Sequence, residues 1–532
     1  MKYFALNAMI GKGAYSVPDF PDAESLIEHL DYLGVDRTLV YSVKARDFSP
    51  IAGNRQLLEE IAPYSKRLIP SFVLTPADFF ADGVMEYYRE KLSSAEVRAF
   101  RLCPELSRFP VRQIERVLGV LTEYRPVVLM DSGFGTSEMD IRDLEYLATA
   151  YKRIHFVVCQ KMWGGFGSVL DLMWRCPNVY LDISWLHMRD TIELVRDEFG
   201  IDRLLFGLGY KSHYGAAIGA LSHAALTPRE HNAIAHRNLE KLLKIPPLTE
   251  KLAVEPPLLK QKPLWNKFRN GEKLDALTVY DAHGHSGTHT RGWVLRESDP
   301  ASYFDTLVSH MDRNGVDKLF LSGEEALFGD MVPGNRKLEQ YARPYPERFR
   351  GYFVYNPLYK AELTTKLLDE FFSRDFWAGF KILPSYWRVK VNDPVFDPVW
   401  KYAEKHHLPV LIHTWNDQWN APSMLAEIVK KYPNAKFLLG HSGGGTPGRL
   451  EAEQLALEYP NVYLEFCGTF CSDRSLVKAY ELLGPERIIF GSDTGAHNEA
   501  YELGGLLSLP LPDKQLIPAL HDNLENILKD RK

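Results

Sequence analysis

The sequence predicts an α/β protein built as two tandem TIM-like (β/α)8 barrels, and three observations carry that prediction. The chain repeats its motifs in the same order in each half. Short apolar runs alternate throughout with amphipathic stretches of helical period. Each half has the length of one barrel, about 250 residues.

The repeat is read directly. GVDRTLVYSV from Gly34 matches GVDKLFLSGE from Gly315, and KRLIPSFVLTP from Lys66 matches ERFRGYFVYNP from Glu347. RAFRLCP pairs with AGFKILP, PVVLMDSG with PVLIHTWN, HFVVCQ with KFLLGH, NVYLDISW with NVYLEFCG and RLLFGLG with RIIFGSD. Register is held: Arg101 and Lys381 stand 280 positions apart, Arg203 and Arg487 stand 284 apart. So many matches in order imply a tandem duplication.

Runs such as PVLIH, KFLLGH and RIIFGSD read as buried parallel strands, and MLAEIVKKYP and AEQLALEYP as helix tails that end near proline. Residues 1–244 therefore form the first barrel and 276–532 the second. The Pro- and Lys-rich stretch 245–275 reads as a linker.

Composition excludes several classes. Apolar residues are 45% and charged residues 25%, and the net charge of −6 gives no basic excess for nucleic acid. No apolar run reaches the length of a membrane span, and the first residues do not read as a signal peptide. The five cysteines, Cys103, Cys159, Cys176, Cys467 and Cys471, form no CxxC pair. A reduced, cytoplasmic setting is the expectation.

The chemistry lies in the second half. Asp281, His283 and His285 alternate on its first strand, so their side chains share one face, and one face of a barrel strand points to the axis. His413 ends PVLIH, His441 ends KFLLGH and Asp493 ends RIIFGSD. All sit where a strand gives way to a loop, the catalytic mouth of a barrel. Three neutral imidazoles and a carboxylate make a suitable zinc set with a position left for water.

HxH on strand 1, His after strands 5 and 6 and Asp after strand 8 resemble the amidohydrolase superfamily. YDAHGH, GFKIL, VLIH, LLGHSGG and FGSD are similar to its amidohydrolase-related branch, the amidohydrolase 2 group. That branch also holds decarboxylases similar to aminocarboxymuconate-semialdehyde decarboxylase. The resemblance implies one divalent metal on His283, His285, His413 and Asp493, with zinc expected first and manganese or iron as alternatives. It implies that His441, and Asp493 with it, moves protons near the metal-bound water. Lys381 ends strand 4. In binuclear members such a lysine is carbamylated and bridges two metals. The other readings are an ammonium that binds a substrate carboxylate and a salt-bridged lysine at the rim.

Asp281 reads either as an orienter of a ligand imidazole or as a buried hydrogen-bonding carboxylate. Tyr386, Trp387, Trp415, Trp419, Phe466 and Phe470 follow the same strands and read as a wall for a cyclic substrate or as loop packing. Arg388 pairs with a substrate carboxylate or is solvated. His289, His497 and His521 are assigned no direct chemical role.

With Gly11 set against Gly287, the first half holds Ala5, Asn7, Met9, Met130, Gln160 and Gly209 where the second holds Asp281, His283, His285, His413, His441 and Asp493. Arg101 stands at Lys381. That set cannot hold zinc, so the first barrel reads as a degenerate copy that caps the mouth, replaces a second subunit or binds another ligand. The expected function is a metal-dependent hydrolase of a small amide, ester or lactone-like substrate. Non-oxidative decarboxylation, or hydratase or lyase chemistry, on the same site is the alternative. The expected partner is a small molecule, with neither nucleic acid nor membrane, in a monomer or homo-oligomer.

Overall fold

The structure, a computed structural model, describes residues 1–14, 19–131, 138–161, 165–287, 297, 299–468, 475–495 and 497–532. His289, Phe470 and Cys471 lie outside them. Contacts divide the chain into two compact units, Met1–Leu259 and Lys260–Lys532.

In the first unit strands β1 (Phe4–Ile10), β2 (Arg37–Ser42), β3 (Leu68–Val73) and β4 (Ala99–Leu102) are followed by β5 (Val127–Asp131), β6 (His155–Cys159), β7 (Val179–Asp182) and β8 (Leu204–Leu205). They pair in sequence order, all parallel. The sheet closes on itself: Leu6 N–H donates to Phe206 O at 3.1 Å and Leu208 N–H to Leu6 O at 3.3 Å. The second unit repeats this with β9 (Tyr280–Ser286), β10 (Lys318–Gly323), β11 (Phe349–Val354), β12 (Trp377–Ile382), β13 (Pro409–His413), β14 (Lys436–Gly440), β15 (Val462–Glu465) and β16 (Ile488–Ile489). Ala282 N–H to Phe490 O at 3.0 Å and His285 N–H to Thr494 O at 2.8 Å close it. Both units are (β/α)8 barrels.

Local signals set the same elements twice. The first long helix of each unit starts at an aspartate cap, Asp22 or Asp299, and stops at a left-handed glycine, Gly34 (φ 77°) or Gly315 (φ 84°). Buried asparagines tie loops to strands in both copies. Asn54 bonds both the N–H and the C=O of Val73, and Asn335 does the same at Val354. Each such amide satisfies two backbone groups that would otherwise be buried unpaired, at about 1–3 kcal/mol apiece. Apolar side chains fill both cores: Leu6, Leu129 and Leu205 in the first, Phe320, Leu411 and Ile489 in the second, with Leu205 and Ile489 at matching positions of the repeat.

Within 245–275, Leu248 and Leu252 pack on the first core, while the helix Pro263–Phe268 buries Leu264, Trp265 and Phe268 in the second unit. Among the described residues no helix is long and apolar enough to cross a membrane.

Candidate metal centre

In the second barrel β9 delivers His283 and His285, and the segment after β16 delivers Asp493. Their ligand atoms all lie within 4.8 Å of one another. Asp493 Oδ1 sits 2.9 Å from His285 Nε2 and 3.5 Å from His283 Nε2. Asp493 holds a left-handed φ of 57°, which turns its carboxylate back over β9.

The outer nitrogens are spoken for. His283 Nδ1–H donates to Glu465 Oε2 at 2.9 Å. Ser322 Oγ donates to Gly284 O, so His285 Nδ1–H donates to Ser322 Oγ at 2.8 Å. Each bond fixes a tautomer with the Nε2 lone pair facing Asp493, the usual preparation of a ligand imidazole.

His441, at the end of β14, also has a left-handed φ of 63° and donates Nδ1–H to Cys467 O at 3.0 Å. Its ring lies 5.2 Å from that of His283 and 4.6 Å from that of His413. His413 lies parallel to Trp415 at 6.2 Å and edge-on to Tyr386 at 5.5 Å.

Lys381 is wholly buried at the end of β12 and donates Nζ–H to His283 Nε2 at 2.7 Å. Burial lowers its pKa to about 8 against the pull of Asp493. Burial likewise holds His283 and His413 well below the usual histidine range and His441 at about 4, so these rings are neutral near pH 7. Asp493 lies well below the usual carboxylate range and stays ionised near pH 7. Neutral imidazoles and an anionic oxygen make a donor set that fits a divalent metal, which would take the His283 Nε2 lone pair that Lys381 Nζ bonds here.

The sequence reading missed several participants. Glu465, fully buried at the end of β15, accepts from His283 Nδ1, from His441 N–H at 3.3 Å and from Cys467 N–H at 2.7 Å. A signal was available, since an acid ends this strand in both copies, Asp182 and Glu465. Cys467 Sγ lies 3.1 Å from His283 Nδ1, and its ligand atom groups with those of His283 and His441. His497, given no role from sequence, has Nδ1 3.7 Å from Asp493 Oδ2.

Other expected residues fall elsewhere. Asp281 bonds the N–H groups of His283 (3.1 Å) and Ser492 (2.9 Å) and the Ser492 hydroxyl, so it braces backbone instead of an imidazole. Trp387 is buried and spends its indole N–H on Leu327 O at 2.9 Å. Arg388 is exposed and caps the short helix Pro384–Trp387. Phe466 is buried beneath the Arg449 guanidinium, 4.3 Å from the ring centroid.

The amidohydrolase family matches residues 14–245 and again 280–530, and the chain belongs to that family. No curated protein matches the chain. Among solved structures it is similar to an uncharacterised TIM-barrel protein from Bordetella bronchiseptica (16% identity, covering 48% of this chain and 99% of that one, TM-score 0.40). It is also similar to 5-carboxyvanillate decarboxylase from Sphingomonas paucimobilis (16%, 48% and 99%, 0.36). A third is dihydroxybenzoic acid decarboxylase from Polaromonas sp. JS666 with bound manganese and 2-nitroresorcinol (18%, 47% and 97%, 0.38).

Proposed function

We propose that the second barrel is a metal-dependent hydrolase of a small amide, ester or lactone-like substrate. The observation that carries this is the convergence of His283 Nε2, His285 Nε2 and the ionised Asp493 at the barrel mouth, with both outer imidazole nitrogens already bonded. His283, His285, Asp493 and His413 would hold one divalent ion, zinc or manganese, which when bound polarises a carbonyl and acidifies water.

The chain's own groups do the rest. Glu465 and Ser322 keep His283 and His285 in the ligating tautomer. His441, its Nδ1–H anchored on Cys467 O, has Nε2 as its remaining basic nitrogen, suited to take a proton from water and return it to a leaving group. Trp415 and Tyr386, beside His413, present aromatic faces that favour a planar substrate.

A second reading, non-oxidative decarboxylation of a small carboxylic acid, is favoured by Lys381. A buried ammonium beside a ligand imidazole suits a substrate carboxylate as well as it suits a carbonyl oxygen. Metal-loaded protein assayed in parallel on a panel of esters, lactones and amides and a panel of aryl and enol carboxylic acids separates the two. Acid release without CO₂ supports hydrolysis. CO₂ release that is lost in Lys381→Met supports decarboxylation. Inactivity on both panels sinks the proposal.

A further inference from the structure

The helix Phe166–Arg175, which follows β6 in the first barrel, begins in an unusual way. It starts from Gly165 at φ 87°, no side chain caps its first N–H groups, and its first turn carries no acidic residue. A helix start of ten residues presents unpaired N–H groups and about half a positive charge. A carboxylate or hydroxyl oxygen usually answers it.

The side chain brought there is instead a cation. A Cβ on Gly165 would meet Lys161 Nζ at 3.0 Å and its Cε at 3.4 Å. Lys161 is 2% exposed. Among the described residues no carboxylate or hydrogen-bond acceptor partners its ammonium. Burial lowers its pKa, with no charged neighbour contributing. Two positive features thus face each other at the edge of solvent, and an anion there would answer both. The second barrel does not repeat this: Ser442 stands at the equivalent position and donates its hydroxyl to Glu465 O at 2.7 Å. The feature thus belongs to the copy that lacks the metal residues. It sits at the C-terminal end of the strands, where barrels bind ligands. Gly165 and Ser168 are exposed, so a small ion can reach it from solvent.

We propose that Lys161 and the first turn of the helix Phe166–Arg175 form an oxyanion site for a phosphate or sulfate group, carried as a free ion or as the end of a small phosphomonoester. A tetrahedral anion offers enough acceptor oxygens to meet the ammonium and several N–H groups together. The site is independent of the metal chemistry proposed for the second barrel.

The test is isothermal titration of the full-length chain with inorganic phosphate and, separately, with phenyl phosphate, in chloride buffer of constant ionic strength. Wild type should bind, and Lys161→Met should bind about 10–100-fold more weakly, the loss expected for one charge-assisted hydrogen bond. Subtracting the variant's isotherm removes any phosphate taken up by the second barrel. Binding of both ligands assigns the site to phosphomonoesters, and binding of inorganic phosphate alone assigns it to the free ion. No heat in wild type at millimolar phosphate, or identical isotherms in wild type and variant, overturns the proposal. If Lys161→Met does not fold by circular dichroism, Lys161→Gln takes its place with the same readings.

Discussion

In the first barrel Arg101 Nη1 reaches Asn7 Oδ1 at 2.7 Å; in the second, Lys381 Nζ reaches His283 Nε2 at the same distance. The partners match as well. Asn7 Nδ2 donates to Asp182, as His283 Nδ1 donates to Glu465. Gln160 N–H bonds Asp182 at 3.0 Å, as His441 N–H bonds Glu465 at 3.3 Å, and both residues are left-handed, at φ 53° and 63°. One polar cradle, a cation, a strand-1 side chain and an acid on strand 7, has been kept through two fates. In the second copy the strand-1 residue is an imidazole whose Nε2 lone pair accepts from Lys381 Nζ. In the first that residue is an amide, and a guanidinium clamped to Asp131 at 2.9 Å supplies a permanent positive charge. That fixed cation pairs with Asp131, while Asp182 is bonded by Asn7, Gln160 N–H and Ser184.

The sharpest break between the copies is metal content. His283→Ala with His285→Ala should drop bound metal from one equivalent to none by plasma mass spectrometry, and activity to background. Asn7→Ala with Met9→Ala should leave both as in wild type. Metal retained in the first variant would defeat the assignment.

Arg101 should matter most for folding. Arg101→Ala strands Asp131 and Asn7 and should cost about 3–5 kcal/mol in urea unfolding, because it leaves a partly buried charge unpaired. Lys381→Met, which removes an ammonium bonded to a neutral ring, should cost clearly less. Equal losses would mean that the two cations play the same role.

Glu465→Gln should weaken metal affinity about 10–100-fold, the usual effect of losing a ligand's orienting carboxylate. Asp182→Asn should leave it unchanged. Competitive titration with a chelator reads both.

Restoring the ligands to the first barrel should fail. In Asn7→His/Met9→His/Gly209→Asp, a Cβ at position 209 clashes with His213 Nδ1 and meets Trp185 Nε1 at 3.0 Å. No metal uptake is expected until His213 is also made small. Uptake by the triple variant would show that the side chains alone define the difference.

The last expected effect is on acid stability. Burial holds His29 at about 3, with Lys211 adding to it, and His231 at about 4, against an ordinary value of 6.5. Below pH 6.5 the unfolded chain takes protons that the folded one refuses, so stability is lost as pH falls through this range. The slope is about 1.4 kcal/mol per pH unit for each group. Urea midpoints at neutral and mildly acidic pH should show this loss, and His29→Leu should reduce it.

The sequence by itself determined the two barrels and their order, and it marked His283, His285, His413 and Asp493 as candidate metal ligands. Those features rest on short-range rules: an apolar run followed by a polar residue marks a strand end, alternation by two sets a face, and duplication makes the pattern legible twice. What only the tertiary structure decided lies in side-chain direction and in pairings across the barrel. Trp387 follows the same strand as Tyr386, yet it turns inward to Leu327. Asp281 alternates with His283, yet it braces Ser492, which is distant in sequence. Glu465 joins His283 across 182 residues. His213 and Trp185, which no ligand motif marks, crowd Gly209, the first barrel's counterpart of Asp493. Strand ends follow from local pattern, but the partners of a buried polar group are set by which strands the closed barrel brings side by side.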